Sequence, residues 1–131
     1  MLMKQLLQKL TVILLLVSAV TFTSSAQAPV SGEATIADNM VIRLDIESPL
    51  VSDYSFSISA IAFKDAAAAE RFFSLCRDNL MTYAVDYATK VATVHLMLEY
   101  TEPRGWGITE YNEYFAKVGE RYRLTLDVVN E

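Results

Sequence analysis

The stretch from Ser55 to Leu98 limits the folds open to this chain more than any other part of the sequence. It holds an alternating run of apolar and polar residues, a run with helical spacing, and two more alternating runs. A period of two indicates a half-buried strand, and a period near 3.6 indicates an amphipathic helix. The stretch and its margins therefore predict a strand at 54–63, a helix at 66–79, and strands at 81–87 and 91–100.

The predicted helix has a clear start and a clear buried face. Asp65 can cap its first turn, because a carboxylate at that position accepts a hydrogen bond from a free backbone N–H. The apolar stripe at helical spacing consists of Ala69, Phe72, Phe73, Cys76 and Leu80. The two strands after the helix are separated by only three residues, 88–90, which predicts a hairpin.

Similar patterns flank this central stretch on both sides. Residues 40–47 alternate and predict a leading strand that ends at Pro49, because proline cannot donate to a ladder. After an irregular loop, Thr109 can cap a second helix that Gly119 would end, and residues 121–129 alternate as a last strand. The order predicts an α+β domain with a ferredoxin-like βαββαβ sandwich. Both helices would cover one face of an antiparallel sheet, and the leading strand would add to an edge.

The N-terminus has the three-part pattern of a secretory signal peptide. Lys4 and Lys9 precede a short apolar core, and a small, polar stretch follows it from Thr21 to Ala28. Cleavage after Ala26 or after Ala28 fits this pattern, and we favour Ala26 because Pro29 would follow the second site. We therefore expect a signal peptide at 1–26, a flexible lead-in at 27–39 and a single domain at 40–131. The apolar core is shorter than the ~20 residues of a spanning helix. The expected location is the periplasm or the cell exterior, with no stable membrane anchor after cleavage.

The charge balance narrows the classes of partner. Removal of Lys4 and Lys9 would take the net charge from −5 to −7. Binding to nucleic acid or to an anionic membrane is driven by clustered Lys and Arg, and the sequence has no basic run. We therefore expect no nucleic-acid partner.

The run from Phe56 to Val94 resembles the heavy-metal-associated domain in its order of elements and in the hairpin around Val85, Asp86 and Tyr87. That family binds metal through a Cys-x-x-Cys motif in the loop before its first helix. The corresponding loop here reads Phe63-Lys64-Asp65-Ala66-Ala67 and contains no cysteine. The resemblance therefore implies the fold alone, and it transfers no metal-binding residue.

The residue types that carry catalysis or metal binding are scarce. The chain has one cysteine and one histidine, whereas soft metals need clustered thiolates or imidazoles. Cys76 lies on the apolar stripe of the first helix, and His95 points to the other face of the sheet, so the two cannot pair. We predict no catalytic residue, no cofactor and no metal site.

The sheet face opposite the helices is the most interesting predicted surface. Together with the loop at 100–107, it supplies the candidate interaction residues Ile61, Thr93, His95, Met97, Arg123, Arg104 and Trp106. Trp106 can pack ahead of the second helix or stand exposed as an anchor. Our hypothesis is an exported, non-enzymatic domain that binds a protein partner, or itself, through the open face. The alternatives are a small-ligand or metal-handling module and a cofactor-free enzyme that uses His95 in a dimeric α+β barrel.

Overall fold

A computed structural model describes residues 31–131 and shows an α+β fold in which three helices accompany a five-stranded mixed sheet. The predicted signal peptide and the first residues of the predicted lead-in lie outside this range. The strands are β1 (Gly32–Ile36), β2 (Ile42–Leu44), β3 (Asp53–Ser57), β4 (Met81–Asp86) and β5 (Val91–Leu96). The helices are α1 (Ala66–Cys76), α2 (Leu98–Thr101) and α3 (Ile108–Val129), with a 3₁₀ turn at Glu102–Arg104.

The strands lie in the order β2-β1-β3-β5-β4. All neighbours pair antiparallel except β1 and β3, which run parallel. One face of this sheet is apolar and is covered by α1 and α3. Its buried strand residues are Ile42, Leu44, Tyr54, Phe56, Met81, Ala92, Val94 and Leu96.

The predicted unit of strand, helix, strand and strand is confirmed in β3, α1, β4 and β5. The Asp65 side chain accepts a hydrogen bond from the Ala68 N–H at 2.8 Å and caps α1. The helix ends at Cys76 instead of residue 79, because the Asp78 carboxylate accepts bonds from the backbone N–H groups of Leu80 and Met81 and starts β4. The hairpin then places β5 between β3 and β4.

The prediction of a final strand at 121–129 is wrong, because α3 continues as one helix to Val129. Its buried side chains keep helical spacing through the whole segment: Tyr111, Phe115, Val118, Tyr122 and Val129. Gly119 does not end the helix. It lies against β2's neighbour Val41, where an added Cβ would come within 2.7 Å of the valine Cγ2.

The ferredoxin-like prediction is therefore wrong as well. In that plan the final strand would lie beside the first strand of the βαββ unit, which is β3 here. The position is taken by β1, which comes from the stretch predicted as flexible lead-in (27–39). The predicted leading strand at 40–47 shortens to β2, because Met40 has a positive φ of 65° and belongs to the turn before it. Ile46, which the alternation of residues 40–47 puts on the same face as Ile42 and Leu44, lies beyond β2 and is 72% exposed.

Two asparagines on or beside α3 fasten it to distant parts of the chain. Asn112 accepts a hydrogen bond from the Leu44 N–H at 2.8 Å and donates to the Leu44 carbonyl at 3.2 Å. Asn130 accepts from the Lys64 N–H and donates to the Ala62 carbonyl, both at 2.8 Å. Each amide thus pairs with backbone groups as a neighbouring strand would.

Candidate functional site

The sheet face opposite α1 and α3 carries short polar side chains in rows across the strands. The register places Asp53, His95 and Thr82 in one row on β3, β5 and β4. In the next row the hydroxyls of Ser55 and Thr93 lie 3.3 Å apart. The prediction that His95 and Thr93 share this face is confirmed by that register.

His95 and Asp53 form the only close pair of titratable side chains that the strands place on this face of the described sheet. The His95 Nδ1 lies 2.7 Å from Asp53 Oδ1, and the two side chains are 47% and 46% exposed. An aspartate held at Nδ1 orients an imidazole so that Nε2 can accept a proton. On a flat, half-exposed face, water screens this pair, and within residues 31–131 no hydrogen bond joins Thr82 to it.

Three of the predicted interaction residues do not lie on the open face. Arg123 is an exposed residue of α3, where it contacts Glu120 at 2.7 Å and Asp127 at 3.6 Å. Arg123 was predicted on the sheet face because residues 121–129 were predicted as a strand. Ile61 lies in the loop after β3 and packs against the core beside Leu126. Met97 follows the end of β5 and precedes α2.

Met97 and Arg104, both predicted candidates, meet instead in one groove. Asp78, Asn79 and Leu80 form its other side, and Tyr100 completes the lining of a groove of about 430 Å³. We call this the Met97 groove. Tyr100, which sequence reasoning placed at the end of a strand, is 59% exposed there. The spacing of Met97, Tyr100 and Arg104 (i, i+3, i+7) is helical, and this was the signal that could have found the groove.

Contacts with α3 hold the segment that carries Met97, Tyr100 and Arg104 in place. Thr101 is fully buried, and its hydroxyl lies 2.5 Å from the Tyr111 hydroxyl of α3. Gly105 adopts a positive φ of 71° and ends the 3₁₀ turn, a conformation that favours glycine. Trp106 packs edge-on against Tyr111, with ring centroids 5.2 Å apart. The tryptophan thus braces α3 instead of lining the groove.

The opposite side of the groove holds a carboxylate with defined partners. Asp78 accepts a hydrogen bond from the Tyr114 hydroxyl, and Arg121 lies 3.7 Å from the same carboxylate. Burial, with the hydrogen bond to Asp78, raises the pKa of Tyr114 to about 12. The hydrogen bonds that the Asp78 carboxylate accepts from the backbone N–H groups of Leu80 and Met81 hold this residue in place. The groove therefore has a polar side held by hydrogen bonds and an apolar rim of Met97 and Tyr100.

A second groove of similar size lies at the other end of the sheet. It has about 420 Å³ and is lined by β1 and β2 residues that include Glu33, Arg43 and Asp45. Its only large apolar side chains are Leu44, which is buried, and Ile46. Its charged side chains carry both signs, and it lacks the combination of Met, Tyr and Arg that the Met97 groove presents.

Cys76 is buried on the helix-covered side of the sheet, as predicted, and is therefore separated from His95. Burial raises the pKa of its thiol to about 12, so almost none of it is the reactive thiolate at neutral pH. Within residues 31–131, no group of three His, Cys, Asp or Glu side chains is arranged to hold a metal ion. Across the same range, no helix has the length and apolarity needed to cross a membrane.

Comparison with known proteins adds no relative to this description. No protein family, no curated protein and no solved structure matches the chain.

Proposed function

We propose that this chain is a non-enzymatic domain that binds a protein partner at the Met97 groove. The observation that carries the proposal is the meeting of Met97, Tyr100 and Arg104 on one exposed rim. Tyr and Arg are enriched among the residues that contribute most to binding energy, and Met and Tyr are enriched at interfaces in general. Because we expect a signal peptide at 1–26, the proposal includes a partner outside the cytoplasm.

The Met97 groove suits a segment of protein with one apolar side chain and an adjacent hydrogen-bond acceptor. Leu80, Met97 and Tyr100 supply an apolar surface, and methionine adapts its shape to different ligands. The Arg104 guanidinium offers several donors in a planar fork. Among residues 31–131 it takes part in no ion pair, so its donors are available to a ligand.

The open sheet face is the weaker candidate for such binding. The large apolar side chains expected there, Ile61 and Met97, lie elsewhere, and its central rows consist of hydroxyls and the pair of His95 and Asp53. Short polar side chains release little free energy when they leave water, because that gain scales with apolar area. The Met97 groove concentrates its larger side chains at one point.

A photo-crosslinking experiment tests the proposal. A photoreactive phenylalanine analogue replaces Tyr100 in one sample and Leu124 in a second, because Leu124 is an equally exposed residue of α3 away from the groove. We expect a protein adduct from position 100 and none from position 124. Equal crosslinking from both positions, or from neither, would contradict the proposal.

The captured protein is then purified and titrated against variants. Tyr100→Ala should weaken binding by roughly thirtyfold, the ~2 kcal/mol typical of a central interface residue. Arg104→Ala should weaken it as well, while Leu124→Ala should leave the Kd unchanged. A Tyr100→Ala variant that binds as tightly as the native chain would show that the groove is not the binding site.

A further inference from the structure

The two edges of the sheet differ in whether their backbone groups have partners. At the β2 edge, the side-chain amide of Asn112 satisfies both the N–H and the carbonyl of Leu44. An edge strand with unpaired backbone groups is a template for another strand, and proteins usually cover or interrupt it. Of the two β2 residues whose backbone groups face outward, Leu44 is covered in this way and Ile42 alone stays open among the described residues, so β4 offers the longer open edge.

The hydrogen bonds of β5 show which β4 residues face outward. Leu96 N–H donates to the Ser52 carbonyl at 2.7 Å, which is the direction of β3 and away from β4. In an antiparallel pair, opposite residues either exchange both bonds or direct both outward. Met81 is the partner of Leu96, so its backbone groups point to the free edge. By alternation, those of Tyr83 and Val85 do the same.

Only the first of these three outward-facing residues has partners. The Met81 N–H donates to the Asp78 side chain at 3.2 Å, and its carbonyl accepts from the Asp78 N–H at 3.0 Å. For Tyr83 and Val85, no backbone hydrogen bond on the outer side is formed with any residue from 31 to 131. The strand contains no proline or lysine that would discourage pairing.

We propose that a second copy of this chain pairs antiparallel with β4 about a two-fold axis at Ala84. Tyr83 then lies opposite Val85 of the second copy, and each such pair exchanges two backbone hydrogen bonds. Ala84 faces its own copy across the axis, where side chains approach closely and a methyl group fits. Thr82 lies opposite Asp86, so a hydroxyl donor meets a carboxylate acceptor. The two sheets become one continuous sheet.

The neighbouring registers satisfy fewer groups. A shift toward the start of β4 places Tyr83 opposite itself and Val85 opposite Met81, whose backbone groups are already bound to Asp78. A shift toward its end places Tyr83 opposite Tyr87, whose carbonyl already accepts a bond within the hairpin turn. A register that places Tyr83 opposite Ala84 of the second copy would join the helix-covered face of one sheet to the open face of the other, because side chains alternate along a strand. Only the axis at Ala84 uses both open residues.

The flank of α1 beside this edge favours a second copy over an unrelated strand. Phe72 of α1 contacts Tyr122 of α3, and Phe73 contacts Tyr83 of β4. At 100° per residue, the flank turned away from α3 carries Glu70 and Arg77, both exposed. The two-fold axis at Ala84 lies beside Tyr83 and the Phe73 that contacts it, so it brings the glutamate of one copy near the arginine of the other. The flank is thus complementary in charge to itself.

Sedimentation velocity over a concentration series tests this inference independently of the Met97 groove. The native chain should show a concentration-dependent dimer. Ala84→Lys and Ala84→Asp each place like charges about 5 Å apart at the axis and should raise the dimer Kd by about tenfold or more. Mixing the two variants should restore the dimer, because opposite charges then meet. Ala84 is exposed, so both variants should keep the native circular-dichroism spectrum.

Thr35→Lys serves as the matched control, because Thr35 is an exposed residue at the far side of the same sheet. It should leave the dimer Kd unchanged. Two results would overturn the inference: a native chain that stays monomeric at every concentration, or a dimer that Ala84→Lys does not weaken. Neither result would affect the crosslinking experiment at Tyr100, so the two proposals can fail separately.

Discussion

Replacement of Gly119 by alanine sets two opposing effects against each other within α3. Alanine is favoured over glycine in a helix interior by about 0.8–1.0 kcal/mol. The new Cβ, however, would lie 2.7 Å from Val41 Cγ2, closer than side chains tolerate. Overpacking of this kind costs about 1–3 kcal/mol. Because valine is short and branched, it cannot swing away freely, and we expect Gly119→Ala to destabilise the domain by about 0–2 kcal/mol.

Truncation of the Val41 side chain should change the effect of Gly119→Ala from destabilising to stabilising. In a Val41→Ala background, Gly119→Ala should stabilise the domain by about 0.5–1 kcal/mol, close to the propensity term alone. The coupling free energy between the two sites should therefore be about 1–3 kcal/mol. Ala116→Gly, at an exposed position of the same helix, measures the free-energy difference between alanine and glycine in α3 without any steric contact.

Urea unfolding followed by tryptophan fluorescence provides the free energies. The chain has a single tryptophan, Trp106, which packs on Tyr111 and Tyr114 and so reports on the attachment of α3. If Gly119→Ala stabilises both backgrounds equally, the close approach of α3 to Val41 is refuted. If it destabilises both equally, the obstacle is the backbone near Asn39 and not the valine.

Two other predictions follow from hydrogen bonding and burial. Asn112→Ala leaves the partly buried N–H and carbonyl of Leu44 without partners, so it should lower the free energy of unfolding by about 1–3 kcal/mol. Asn112→Asp keeps only the acceptor, so its free energy of unfolding should lie between those of the native chain and the alanine variant. An alanine variant as stable as the native chain would show that Asn112 does not hold the edge of β2. Stability should also decline as the pH rises from about 10 to about 12, because Tyr114 keeps its proton in the folded state up to about pH 12 and loses it near 10 when unfolded. Below that window its contribution is complete. Absorbance of tyrosinate during alkaline titration checks this, and Tyr114→Phe should weaken the decline.

The sequence predicted those elements whose pattern is local. The stripe of Phe72, Phe73 and Cys76 fits a helical period only, and the structure has it on α1. The short turn between two alternating runs likewise forms the hairpin of β4 and β5. Residues 121–129 satisfy both periods, since Tyr122 and Leu126 fit a strand or a helix equally. Gly119 appeared to be a helix end, and its real cause, close contact with Val41, depends on a residue far away in sequence.

Other features could not be read from local pattern because they depend on pairing between distant segments. β1 contains Gly32, Glu33 and Ala34, which have weak strand preference, and it forms because β2 and β3 lie on either side of it. The Met97 groove likewise depends on how the turn of α2 folds back against Asp78. Sequence reasoning identified Met97 and Arg104 as candidates but for the wrong surface, since it extended β5 through Tyr100.

The asparagine contacts of α3 also bear on the order in which the chain can fold. Asn112 and Asn130 each bind a residue 68 positions earlier. During synthesis, which delivers the N-terminus first, β1 and β2 become available long before α3, the helix that covers β2. Met40, Ile42 and Leu44 therefore stay open to water until the last residues arrive, and contacts over such separations form slowly. The part of the core around β2 can therefore close only once α3 has formed and docked on it.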